Sequence, residues 1–63
     1  MKKEKIYWFK FQQGDVQFEN GFKSYDWDKA EDAAMKFAND YDYVLIEYTG
    51  WTEPEDPKRN YDN

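Results

Sequence analysis

The chain contains neither cysteine nor histidine. Without cysteine there is no disulfide to staple a small fold, and no thiol chemistry. Without histidine the commonest general base and the commonest transition-metal ligand are both missing. Glycine occurs three times and proline twice in 63 residues, so glycine-rich phosphate loops are ruled out as well. No apolar run is long enough to cross a membrane. The opening Met-Lys-Lys-Glu-Lys is basic, but the apolar run behind it extends only from Ile6 to Phe9. That is too short for a signal peptide, and a cytoplasmic location is expected.

Aromatic residues are abundant instead. Fourteen of the 63 residues are Phe, Tyr or Trp. Large rings bury much area per residue, which is how so short a chain can hold a core without staples. Charge is uneven. Residues 1–10 carry a net +3, residues 11–57 a net −9, and the whole chain −5. A body of that sign repels nucleic acid and is drawn to basic surfaces.

The alternation of rings from Lys5 to Ser24 predicts one long β-hairpin turning at Gly14-Asp15, a two-residue turn of the II′ type. That turn sets Phe11 opposite Phe18, Lys10 opposite Glu19, Gln12 opposite Gln17 and Tyr7 opposite Phe22. One face then collects Tyr7, Phe9, Phe11, Val16, Phe18 and Phe22. The other collects paired glutamines, paired charges and Trp8 over Gly21. The rival turn at Asn20-Gly21 sets Phe18 against Lys23 and Val16 against Tyr25, a poorer sorting. Gly21 is then a bulge or a flat spot beneath Trp8.

A helix follows. Asp28 with Glu31 forms a candidate capping pair, with Asp26 and Ser24 as alternative caps. Ala30, Ala33, Ala34, Phe37, Ala38 and Tyr41 recur at helical spacing. Their small side chains let a helix sit close to a sheet whose rings supply the bulk. Asp28, Asp32, Lys36 and Asn39 point away, Met35 lies off the stripe, and Asn39-Asp40 ends the helix. Tyr43 to Thr49 reads as a third strand. Strict alternation turns Val44, Ile46 and Tyr48 toward the helix and Tyr43, Leu45 and Glu47 away. The expected architecture is α+β: a three-stranded antiparallel sheet in order 2-1-3, one helix on one face, topology ββαβ. The domain is expected to span residues 1–50, with 51–63 an extended, flexible, acidic and proline-containing tail.

Gly21-Phe-Lys-Ser24 followed by Ala30, Ala33 and Phe37-Ala38 resembles the sheet-to-helix junction of the small DNA-binding arms of phage-type integrases. The resemblance covers under a third of the chain. The basic residues such an arm would use are missing here, and no functional residue follows from it.

Catalytic, cofactor-binding and metal-binding residues are not expected. No nucleophile with a base is present. The pairs Asp40/Asp42 and Asp26/Asp28 and the run Glu53-Pro-Glu55-Asp56 lack the glycine and closing glutamate of a calcium loop. Two interaction surfaces remain. The first is the far side of the sheet, with Ile6, Trp8, Tyr43 and Leu45 as an uncovered cluster and Trp51 within reach of it. Trp51 and Pro54 folding back over that cluster is the bland alternative. The second is acidic: Asp26, Asp28, Glu31, Asp32, Asp40 and Asp42. Asp28 and Asp32 lie about 6 Å apart, of the order of the phosphate spacing along a strand. The expected function is therefore a small acidic, non-enzymatic protein-binding protein. It would serve as a phage or mobile-element accessory inhibitor docking on a basic, nucleic-acid-binding surface of a host protein. An interaction or homodimerisation module using the aromatic face is the alternative. A weak single-stranded nucleic-acid binder is a third reading, opposed by the scarcity of cations beyond Lys2, Lys3, Lys5 and Lys10.

Overall fold

The computed structural model describes residues 3–54 in full and the backbone of residues 56–60. The chain runs β1 (Lys5–Gln13), β2 (Val16–Ser24), α1 (Trp27–Tyr41), β3 (Val44–Glu53) and β4 (Asp56–Asn60). The first three strands lie antiparallel in the expected order 2-1-3, with one helix against one face. β4 adds a fourth strand beyond β3, giving the order β2-β1-β3-β4. The segment expected as a tail thus contributes to the sheet. Trp51–Glu53 continue β3, and Asp56–Asn60 pair back onto it antiparallel. Residue 55 and residues 61–63 of that tail lie outside the described residues.

The hairpin follows from its turn. Gly14 takes φ 60° while Asp15 keeps a negative φ, the combination a type II′ turn requires. Its sense of twist matches the flanking strands. The ladder then sets Gln13 opposite Val16, Phe11 opposite Phe18, Lys10 opposite Glu19, Trp8 opposite Gly21 and Lys5 opposite Ser24. Gln17 Nε2 donates to Gln12 Oε1 across the strands at 3.2 Å.

Tyr7, Phe9 and Phe11 project from the central strand into the core, and Ala30, Ala34 and Ala38 meet them from the helix. Alanine every fourth residue keeps the helix close, so Phe9 and Phe11 are enclosed almost completely. Phe37 fills the space at the C-terminal end of α1, with its ring 5.2 Å from Phe11 and 5.5 Å from Phe22. Trp27 does the same at the N-terminal end, 6.0 Å from Tyr48. Ala33 and Tyr41, expected on the buried stripe, are exposed.

Of the candidate caps, Asp26 is the one used. Its Oδ1 accepts from the Lys29 N–H at 2.8 Å, and Ser24 Oγ in turn accepts from the Asp26 N–H at 3.3 Å. The helix runs past Asp40 and stops at Asp42, which adopts the left-handed conformation. The Tyr43 N–H then donates to the Ala38 carbonyl at 2.8 Å, closing the helix in the Schellman manner.

That closure decides how β3 begins. It holds Tyr43 beneath α1, its ring 4.9 Å from Phe18 and 5.3 Å from Phe37. Leu45, opposite Phe11, shares this face. Val44 and Ile46 are turned outward, at 63% and 41% exposure. The expected facing of Tyr43, Leu45, Val44 and Ile46 is therefore reversed. Two register shifts against β1 complete the pattern: the one at Ile46 explains why Tyr48 nevertheless faces the helix, and the one at Thr49 why Trp51 does too. The ladder skips Ile46 and again Thr49, and each extra residue inverts the alternation beyond it. Glu47 keeps its outward place. Trp51 returns to the helix side opposite Tyr7, under the Lys5 ammonium at 4.0 Å.

Candidate interaction surfaces

The far face of the sheet is organised in cross-strand rows that radiate from β1. Nearest the turn, Gln12 lies between Gln17 and Val44. Next, Lys10 lies between Glu19 and Glu47, with Nζ 3.5 Å from the Glu47 carboxylate. Trp8 follows, between Gly21 and Gly50, and then Ile6, between Lys23 and Thr52. Exposed ion pairs of this kind contribute little to stability, but they make this part of the face polar.

Trp8 is half-buried on this face. Its Nε1 donates to Thr52 Oγ1 at 3.0 Å, and Thr52 is itself buried. The indole rests against Gly21, because a Cβ there would stand 3.1 Å from Trp8 Cδ2 and Cε2 and 2.5 Å from Ile6 Cγ2. Gly21 is therefore a flat spot in regular pairing, not a bulge. The bulges sit across β1 in β3, where the Thr49 hydroxyl donates to the Trp8 carbonyl at 3.2 Å.

The proposed aromatic cluster of Ile6, Trp8, Tyr43, Leu45 and Trp51 is not assembled. Ile6 and Trp8 lie on the far face. Tyr43, Leu45 and Trp51 pack against the core on the opposite side. The bulges at Ile46 and Thr49 are the physical reason, since alternation alone would have kept Tyr43 and Leu45 with Trp8. Thr52, which anchors the indole, was not singled out from the sequence. Its signal is weak: a β-branched residue following Trp51, beyond a glycine that reads as a strand end.

The acidic residues fall into three groups. Asp26 is committed to the N-cap. Asp28 and Asp32 are exposed one turn apart, with Glu31 half-buried beside them. Asp40 and Asp42 lie at the far end of α1, Asp42 roughly 24 Å along the axis from Asp26. Lys29 and Lys36 share the exposed side of the helix with these acids. Among the described residues no group of three or more acidic, histidine or cysteine side chains could hold a metal ion. No helix among them is long and apolar enough to cross a membrane. Comparison with protein-family models, with curated proteins and with solved structures finds no match.

Proposed function

We propose that this chain is a small, non-enzymatic protein-binding protein whose acidic helix docks on a basic, nucleic-acid-binding surface of another protein. The observation that carries the reading is the charge along α1 and its caps. From Asp26 to Asp42 there are six acids and two lysines, a net −4. Among the described residues, three sheet-side cations are engaged, Lys10 with Glu47, Lys3 near Glu53 and Lys5 over Trp51, while Lys23 on β2 is exposed. The negative side of the molecule is therefore α1, and it would compete with phosphates for a cationic groove. An accessory inhibitor carried by a phage or mobile element suits such chemistry. The aromatic-face alternative has lost three of its five residues to the core. Direct nucleic-acid binding would set this negative side against phosphate.

The test combines Asp28→Asn, Glu31→Gln and Asp32→Asn, none of which removes the N-cap. A partner captured from the native host should bind the triple variant at least about tenfold more weakly. Its binding to the native chain should weaken with salt and compete with added DNA or RNA. Unchanged affinity, or indifference to salt, would refute the electrostatic reading.

A further inference from the structure

At the C-terminal end of α1 the ring packing of the core runs out to the surface. Tyr43 lies 4.9 Å from Phe18 and 5.3 Å from Phe37. Tyr41 adds an outer ring, 5.0 Å from Phe37 and stacked with Tyr43 at 5.7 Å, 21° between their planes. Yet Tyr41 is 58% exposed. Two neighbouring rings hold it in place, so a partner need not order it on binding. Tyrosine is also among the residues that carry most of the energy at protein interfaces.

Charge around this ring favours a cation. Asp40 and Asp42 flank it, and both are exposed. Among the described residues no lysine is paired with either. The negative end of the helix dipole lies in the same turn, and that turn carries no basic residue. Lys36 is five residues back, roughly 140° round the helix axis. The face of an aromatic ring is itself negative and attracts cations. The same fold already seats one cation this way, with the Lys5 ammonium 4.0 Å over Trp51.

We infer that Tyr41, backed by Tyr43 and flanked by Asp40 and Asp42, seats an arginine side chain of the protein on which α1 docks. The inference rests on the acidic-helix reading and adds which end of the helix anchors, and through which residue type. Arginine fits better than lysine for two reasons. Its planar guanidinium stacks on a ring while its N–H groups donate to carboxylates at the side. It is also more weakly hydrated, so it leaves water at less cost. Consecutive Cα atoms lie about 3.8 Å apart, which puts both carboxylates within the span of one such side chain. The other end of α1 is unlike this one. Tyr25 is 57% exposed there, but Asp26 is spent on the N-cap, and the helix dipole at that end opposes a cation.

The probe is the blocked peptide acetyl-Gly-Arg-Gly-amide, with its citrulline and lysine analogues alongside. Each is titrated into the native chain at constant ionic strength, to concentrations on the order of tens of millimolar. Nuclear magnetic resonance should show saturable shifts centred on Tyr41 and Tyr43, and contacts between the arginine Hδ protons and the Tyr41 ring. The citrulline peptide, neutral and similar in shape, should give no saturable shift. The lysine peptide should bind at least about twofold more weakly. Tyr41→Leu keeps an apolar side chain against Phe37 and removes the ring face. It should leave circular dichroism unchanged and weaken the arginine peptide about two- to fivefold. Tyr41→Phe and Tyr25→Ala should bind it as the native chain does, and Asp40→Asn combined with Asp42→Asn should weaken it. An arginine peptide that gives no saturable shift at Tyr41 overturns the inference, and so does equal binding of either analogue, a comparison that needs no variant. Native affinity in Tyr41→Leu, or in the paired asparagine variant, overturns it as well. Failure of the acidic-helix reading shows separately. A partner indifferent to the changes at Asp28, Glu31 and Asp32 would end that reading, whereas the triple variant should bind the arginine peptide as the native chain does.

Discussion

Replacing Gly21 by alanine tests the packing of the far face at one atom. The added Cβ would lie 2.5 Å from Ile6 Cγ2 and 3.1 Å from two atoms of the Trp8 indole. Carbon atoms pack at about 3.5–4.0 Å, so the Ile6 contact overlaps by roughly 1 Å. Neither neighbour yields easily. Ile6 is β-branched and stiff at χ1, and Trp8 is tethered through Nε1 to Thr52. Overpacking of this kind costs about 1–3 kcal/mol. Against it, alanine lowers the entropy of the unfolded chain by about 0.4–1 kcal/mol relative to glycine. The clash wins, and Gly21→Ala should destabilise the fold by about 1–2 kcal/mol. For a domain of this size that lowers Tm by roughly 5–15 °C. Thermal and urea unfolding followed by circular dichroism would measure it. Ile6→Ala removes the Cγ2 atom. In that background Gly21→Ala should cost at least about 1 kcal/mol less, a coupling that a double-mutant cycle isolates. A Gly21→Ala chain as stable as the native one, or an equal cost in both backgrounds, would refute the reasoning.

Two further changes test the helix ends. Asp42→Gly should stabilise the protein by about 1 kcal/mol, because Asp42 sits at φ 59° where a side chain is disfavoured. It also removes a negative charge from the negative end of the helix dipole. An unchanged urea midpoint would contradict this. Asp26→Ala should cost about 1 kcal/mol through loss of the bond to the Lys29 N–H. Asp28→Ala, which removes no cap, should cost less, and the reverse ranking in urea unfolding would assign the cap to Asp28.

Which features the sequence reveals follows from how far apart the interacting residues are. The Gly14-Asp15 turn is local, and every cross-strand pair of the hairpin counts outward from it. The register from Gln13/Val16 to Lys5/Ser24 was therefore legible, including Trp8 over Gly21. The alanine spacing of α1 was legible for the same reason, as was the crossover that places β3 beside β1. The choice of cap was not, because Ser24, Asp26 and Asp28 offer similar side chains within five residues. Only the packed geometry selects among them.

The facing of β3 belongs to tertiary structure. Its alternation breaks twice, at Ile46 and Thr49, and neither residue differs in kind from an ordinary strand residue. A bulge is set by what the neighbouring strand and the helix demand. Tyr43 is drawn under α1 by the helix closure, Tyr48 and Trp51 complete the core against Phe9 and Tyr7, and the spare residues are pushed out between them. The acidic surface was readable as composition. The loss of Tyr43, Leu45 and Trp51 from the far face was not, because side-chain direction beyond a bulge depends on contacts that form only once the sheet is assembled.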